Sequence, residues 1–507
     1  MNPYFVLDVG TTNVKVHVYS QGKLLDSLEE KMSVRHPQPG WAEQDPEEVV
    51  KVVYRLLDTV EAKYGKPAGV GLTNQRGSTV VWYKESGEPL CNLITWQDTR
   101  TRDLVEEYSS KTIIKLGRAV GLATNVVSKF FKALKKSRAG AYLMTLAYAA
   151  FGTTHSSMHL RWIMDNVEGA KTALNKGEAL FGTIDSWIAW NLCGRHITDY
   201  TNASATGIFN PFKLRWSETV IKLLEIPRVA LPKFVSNDEP IGLLKHLDAP
   251  LLSMIADQQA SLYVACARAG GAKITCSTGA FIDVNVGDRP LPGSKGIYPM
   301  IALATKNNVT FLLEGFLTSA GCVVEWLMEL GLVDSYSELA ECLTKGREGV
   351  IFIPALNGLG TPFARPDATA AFLNLTSATR KEDIVRGALE GVAAMSAKAI
   401  EHLEKTSEIR IKSLIADGGL ARCDPFLQMI ADFSGKPVAR TEHVNNSAYG
   451  AYLLCECVAR GVDPLNAWQP PKVEKIFEPR ASKGHYSRTL HKAIKVSLDV
   501  QPLRVTN

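Results

Sequence analysis

Long hydrophobic runs are missing from this 507-residue chain. The longest apolar stretch away from the N-terminal strand pattern, AGAYLMTLAYAAFG from Ala139 to Gly152, is well short of a bilayer, so no membrane span is expected. The N-terminus, MNPYFVLDVG, lacks the basic start of a signal peptide, and the terminal RVTN matches no prenylation or peroxisomal signal. A cytoplasmic protein is expected. Nine cysteines form no CxxC pair, the nearest two being Cys455 and Cys457, so reduced thiols rather than a disulfide framework are expected. The excess of 57 Lys and Arg over 52 Asp and Glu leaves only +5. So small an excess argues against nucleic acid as an obligate partner, since such binders carry a concentrated basic face. Neither GxxxxGK[ST] nor GxGxxG occurs, so the P-loop and Rossmann readings lack their motif. His155 and His159 stand four apart in HSSMH, without the glutamate of a zincin, and read as two solvated histidines.

What is present is an ordinary globular balance, with 46% hydrophobic and 21% charged residues, over a length that suits two large domains. The first segment, YFVLDVG-TTN-VKVHVYS, reads as a β-hairpin around a small turn. KITCSTGAFIDVNVG, from Lys273 to Gly287, has the same grammar, which suggests two halves of related architecture. Asp45-Pro46-Glu47-Glu48 offers an N-cap, a proline at the first helical position and acids for the dipole. Val49, Val53, Leu56 and Val60 then mark one helical face. A second helix starts at Lys381, with Ile384, Ala388, Val392 and Met395 on one side. Ser413 to Ala416 is a short strand, and Asp424-Pro425 opens a helix that stops at Gly435. Strands alternating with helices in this way give an α/β protein. The domain change is placed between Asp257 and Gly271, dividing the chain into 1–262 and 263–507.

Three places carry candidate chemistry. At Asp8-x-Gly10-Thr11-Thr12-Asn13, glycine lets backbone amides approach an anion and the threonines add donors. Lys15 balances negative charge there, and the Asp8 carboxylate suits a hydrated Mg²⁺. The alternative is a plain turn capped by threonines. Asp417-Gly418-Gly419 ends a strand before a helix, where phosphate is favoured; the alternative is a turn that needs glycine for its backbone angles. Asp257-Gln258-Gln259 puts a carboxylate beside two amides, which suits a general base with orienting groups. Its alternative is a helix cap and a solvated turn.

The order of these signals, with DVGTTNVK at 8–15, GWAEQDPEEV at 40–49, NQRGSTVVWYKESGEPLCNLITWQDTRT at 74–101, TDYTNASATGIFNP at 198–211, ADQQASL at 256–262, STGAF at 277–281 and DGGLAR at 417–422, resembles the FGGY carbohydrate kinases, and among them the glycerol kinases. The resemblance spans nearly the whole chain. It implies two actin-like, RNase H-like ATPase domains closing on an interdomain cleft, the first binding the polyol and the second the nucleotide, with ATP and Mg²⁺ as cofactors. By the same resemblance, Thr11, Thr12, Asn13 and Lys15 meet the phosphates, while Thr278, Gly279, Gly321, Glu325, Gly419 and Cys423 lie along the nucleotide. Asp257 matches the catalytic base, and Arg76 and Gln258 match polyol-contacting positions. A base near the attacking hydroxyl and neutralised phosphates are what phosphoryl transfer requires.

The departures from that pattern resemble those of a divergent animal branch of glycerol-kinase-like proteins. Gly77 stands where the family has a glycerol-contacting glutamate, Thr154 where it has a tyrosine, and His159 where it has a lysine. Cys423 replaces an asparagine, Glu325 a glutamine, and Asn374 and Gly387 replace small residues of a later signature. Loss of the Glu and Tyr groups predicts an enlarged acceptor pocket. The stretch from Asp98 to Trp162 is longer than in the family, and its surplus reads as an elaborated loop on the N-terminal domain. Lys132, Lys135, Lys136 and Arg138 before a mildly apolar run leave a membrane-surface or partner contact through 129–152 as the alternative. An oligomer is left open. The expected activity is ATP-dependent phosphorylation of glycerol to sn-glycerol 3-phosphate. The alternatives are a kinase for another polyol or a ketose, and a weakly catalytic nucleotide-binding regulator.

Overall fold

The computed structural model describes residues 2–443, 445–480 and 484–499. Two mixed sheets dominate it. The first contains β1 (Tyr4–Val9), β2 (Asn13–Ser20), β3 (Lys23–Lys31), β4 (Gly69–Asn74), β5 (Gly242–Leu244) and β6 (Ala249–Ala256), in the order β3-β2-β1-β4-β6-β5. The second contains β7 (Ala272–Cys276), β8 (Ala280–Gly287), β9 (Ile297–Ala304), β10 (Val309–Leu317), β11 (Leu414–Asp417), β12 (Val438–Thr441) and β13 (Val473–Phe477). Its order is β9-β10-β8-β7-β11-β12-β13.

Read from β3 and from β10, the two sheets match strand for strand. Each has two antiparallel pairings, then two parallel ones, then an antiparallel edge. The two similar hairpins of the sequence are therefore equivalent parts of a repeated architecture. Sequence pattern sets each strand's place. GVGLTN of β4 is buried throughout, as a parallel strand covered on both faces must be. KLLDSLEEK of β3 alternates and carries charge, which protects an edge.

Helix α1 (Pro46–Tyr64) starts as its residues predict. The Asp45 carboxylate accepts from the Glu47 and Glu48 amides, and Gly65, at φ 74°, ends the helix. The surplus between Asp98 and Trp162 is helical rather than a loop, including α2 (Thr112–Ser128) and α3 (Arg138–Thr145). It also reaches the second domain. Thr145 Oγ1 accepts from the Gly293 amide at 2.9 Å, and Lys135 pairs with Glu408 at 2.6 Å. Among the described residues, no helix is long and apolar enough to cross a membrane.

Helix α4 (Asp257–Ala265) leaves the end of β6, and the chain enters the second sheet at Ala272. There α5 (Gly321–Glu329), α6 (Lys381–Ser407) and α7 (Asp424–Ser434) pack around the second core. Gly435 caps α7 in the left-handed region. Helix α8 (Asn446–Arg460) then returns to the first sheet, where it packs on α4, β1, β4 and β6. The division at 262/263 assigns α8 to the second half, yet it covers the first sheet. A Cβ on Gly450 would lie 2.3 Å from the Ala260 carbonyl oxygen, so glycine lets α8 and α4 touch backbone to backbone.

Candidate active site

Each sheet brings its hairpin turn to the same cleft. In the first turn, the Gly10 amide donates to the Asn13 carbonyl at 3.0 Å. In the second, the Ser277 amide donates to the Gly279 carbonyl at 2.9 Å, and the Gly321 amide at the start of α5 donates to the Ser277 carbonyl at 2.7 Å. A Cβ at Gly321 would sit 2.3 Å from that oxygen, so glycine permits the helix to abut the turn. The cleft between them measures about 430 Å³. Asp8, Gly10, Thr12, Asn13 and Lys15 line one wall; Thr278, Gly321, Glu325, Gly419 and Leu420 line the other. Gly418 has φ 87°, and a Cβ there would meet the Cys276 carbonyl at 2.4 Å. Its neighbour Gly419 faces open space, which leaves backbone exposed to a ligand.

Not every sequence candidate faces this cleft. Thr11 turns into the first domain, where its hydroxyl donates to Gln75 and accepts from Trp96 Nε1. Gly279 is pressed against Leu317, and Cys423 is buried before α7. Lys15 lines the wall but pairs with Glu29 at 2.8 Å. Asp8 accepts from Asn445 Nδ2 at 2.7 Å, a contact from the N-cap of α8. Burial raises the Asp8 carboxyl above its ordinary value.

Asp257 sits where β6 becomes α4, at the floor of the interdomain space. Its Oδ1 accepts from the Gln258 amide at 2.7 Å and faces Arg76 Nε at 3.8 Å. Oδ2 is the freer oxygen, with Gln258 Nε2 at 3.5 Å. Burial raises this carboxyl, and Asp8 adds to the rise, while Arg76 and Lys273 oppose it. Arg76 also pairs with Glu314 at 2.7 Å and lies over the Phe281 ring at 5.4 Å. Gln258 Oε1 accepts from Lys273 Nζ at 2.7 Å, and Lys273 pairs with Asp283 at 2.9 Å, both ions fully buried. Burial, with Asp283 beside it, pushes Glu314 up to about 7 against the pull of Arg76.

Sequence reasoning missed Lys273, Asp283 and Glu314. A signal was there: each is a lone charge inside an otherwise apolar strand. Lys273 and Asp283 are cross-strand partners, as are Asp283 and Glu314. Such charges are retained inside a core only when paired.

Two expectations need correction. His159 is buried, not solvated; its Nδ1 contacts Thr79 Oγ1 at 3.0 Å and its Nε2 the Thr153 carbonyl at 2.7 Å. Burial lowers it to about 4, so it stays neutral. Likewise, the Gly77 position is not an emptied glutamate site. Gly77 has φ 80°, and a Cβ there would lie 2.8 Å from the Thr154 carbonyl oxygen. Ser156 Oγ donates to the Gly77 carbonyl at 2.9 Å, so the backbone at Thr154–Ser156 abuts this glycine and a side chain there would be strained.

The specific strings of the first domain are braces beneath the site. Asp199 of TDYTNAS accepts from the Thr201 amide and from Asn202 Nδ2, holding the turn under β6. Arg100 of WQDTRT pairs with Asp98 and Glu43 and stacks on Trp41 at 3.7 Å.

Comparison with known proteins agrees with this architecture. Residues 3–124 and 115–255 match the N-terminal domain of the FGGY family of carbohydrate kinases, and residues 272–458 match its C-terminal domain. The chain is 33% identical to glycerol kinase 2 of Thermotoga maritima, over 96% of each chain. It is 32% identical to glycerol kinase 5 of Danio rerio, over 88% of this chain and 85% of that one. Among solved structures, Plasmodium falciparum glycerol kinase with ADP superposes with a TM-score of 0.84 at 27% identity, over 98% of each chain. A xylulose kinase from Brucella ovis shares the fold, with a TM-score of 0.81 at 20% identity over 99% of each chain. With both domains matched in order and the paired hairpins facing one cleft, the chain belongs to the FGGY family of carbohydrate kinases.

Proposed function

We propose that the protein phosphorylates glycerol from ATP, giving sn-glycerol 3-phosphate. The observation that carries this reading is Asp257, a carboxylate raised by burial, set between Arg76 and Gln258 and sensing the charge of Asp8 from the cleft wall. Asp257 takes the hydroxyl proton through Oδ2, since Oδ1 is committed to the Gln258 amide. A raised carboxyl is the stronger base once ionised, and its fixed position orients the hydroxyl before the proton moves. Arg76, anchored by Glu314, is the donor for a second hydroxyl of the acceptor.

The donor set fits ATP with Mg²⁺. The glycine turns at Gly10 and Gly419, where backbone lies open to the cleft, and the positive end of the α5 dipole favour phosphate. Among the described residues no three acids, histidines or cysteines gather into a metal cage, and a single carboxylate such as Asp8 suits Mg²⁺ that keeps water and phosphate as its other ligands. When bound, Mg²⁺-ATP supplies the phosphoryl group and the charge that screens it. The same reading carries the cytoplasmic location.

A coupled assay of ADP release across a panel of polyols and ketoses tests the proposal. Turnover strongest on glycerol supports it. Turnover only on a ketose would transfer the reading to another acceptor, and a nucleotide-dependent thermal shift with no turnover on any acceptor would make the protein a nucleotide-binding regulator.

A further inference from the structure

The face that the surplus helices turn outward is apolar. Along α2, Ile113, Leu116, Val120, Ala123 and Val127 follow one another at helical spacing, and all are exposed. Phe130 continues the line past the end of α2, and its neighbour Phe131 lies beside it. Phe130 is 80% exposed, Phe131 65% and Leu116 62%. The opposite side of α2 is the buried one: Gly121 meets the 146–148 turn so closely that a Cβ would lie 2.0 Å from the Ala147 nitrogen. The apolar run from Ala139 to Gly152, for which a surface contact was the alternative to a loop laid on the N-terminal domain, turns Ala141 and Met144 into the fold.

Charge around this face is predominantly positive; Glu107 is the acid at its start, paired with Lys111 at 2.6 Å. Between Glu107 and Asp165 the chain contains no acid. Lys111, Lys115 and Lys129, all exposed, run along one edge of the stripe, and Lys136 and Arg138 follow beyond the phenylalanines. An exposed apolar stripe of this extent marks an interaction site, and its pairing with lysines along the edge is the pattern of a helix lying in a membrane interface.

We infer that α2 and the Phe130-Phe131 tip form a docking surface for a membrane bearing anionic lipid. Charge complementarity selects this occupant. A second copy of the chain, joined through the same face, would bring two predominantly basic surfaces together, which costs rather than stabilises. The stripe stands on the outward side of a helix, and a lipid surface reaches all of it at once. The aliphatic and phenylalanine side chains enter the acyl boundary while the lysines meet the headgroups.

The test is co-sedimentation of the full chain with phosphatidylcholine vesicles, with and without phosphatidylserine, at low and high salt. The Phe130→Ser/Phe131→Ser variant and a Lys115→Glu/Lys129→Glu variant run alongside. These four side chains are exposed, so ADP release and thermal stability should stay as in the wild type. Binding is expected to phosphatidylserine vesicles at low salt, falling by roughly tenfold or more in either variant, at high salt, or without phosphatidylserine. Failure to pellet with phosphatidylserine vesicles overturns the inference, as does pelleting that the phenylalanine variant leaves unchanged. A dimer in sedimentation velocity that the same variant dissolves would give the face to a second copy. Binding to soluble polyglutamate but not to vesicles would give it to an acidic protein.

Discussion

Arg76 of the first domain lies 2.7 Å from Glu314 of the second, and both side chains are nearly buried. The arginine beside Asp257, the proposed base, is thus aimed by a residue across the cleft. Glu314→Gln keeps the shape and removes the charge. It should lower kcat/KM for the acceptor by about 10–100-fold while the KM for ATP stays unchanged. Steady-state kinetics with each substrate varied in turn checks this, and a matching rise in the ATP KM would show a general defect in cleft closure instead.

Asp257→Asn preserves the hydrogen bond from the Gln258 amide but removes the base. A fall in kcat of about 10²–10⁴-fold is expected, with ATP binding intact by calorimetry. In the wild type, burial raises the Asp257 carboxyl, and only the ionised form accepts a proton. The acid limb of kcat/KM should therefore fall away at a pH above the ordinary carboxylate range. A limb at the usual aspartate value would remove Asp257 from the role.

Lys273 holds Gln258 and neutralises Asp283 inside the core. Lys273→Met leaves Asp283 buried without its counter-charge, a loss of about 3–5 kcal/mol. Adding Asp283→Leu should recover most of that stability in urea unfolding. It should leave the acceptor KM elevated, because Gln258 still lacks its anchor.

Gly77→Glu with Thr154→Tyr rebuilds the parent pattern on paper. The backbone at Gly77 is left-handed, and the Thr154 carbonyl oxygen lies 2.8 Å from where a Cβ would stand. The double variant is expected to lose about 1–3 kcal/mol of stability through that strain and to gain nothing in glycerol KM. A tighter KM with unchanged melting temperature would contradict this.

Asp185 supplies a pH test of stability. Burial first, and then the charge of Asp199, pushes it up to about 7. A folded value above the unfolded one means a contribution present below the unfolded pKa and lost as pH rises through about 7. Asp185→Asn removes that term, so the melting temperature of the variant should gain on the wild type between pH 5 and pH 8.

Much of this site was legible in the residues. Asp45-Pro46 announced α1 because capping is local chemistry, and the two Gly-Thr turns announced their hairpins for the same reason. DQQ was found because a carboxylate ending an apolar run is conspicuous. Glu314 stands as a single acid in FLLEGF, and its burial depends on Arg76, far away in sequence, which nothing local announces. Gly77 misled for a related reason. A glycine tells of a missing side chain, but only the fold shows a left-handed backbone pressed by the Thr154 carbonyl. The reach of α3 to Gly293 was likewise invisible, since nothing local in either segment encodes the meeting.

Helix α8 bears on how the protein can be divided. It is made from the last part of the chain yet covers β1, β4 and β6 of the first sheet, and Asn445 at its start holds Asp8. A fragment cut at residue 262 would expose Val6 and Ile255, which α8 buries with Ala448, Ala451 and Tyr452. The two halves are therefore not exchangeable modules. Swapping either half with that of a related kinase must carry residues 445–468 along with the first domain, or the hybrid will lose both its core and the partner of Asp8 in the cleft wall.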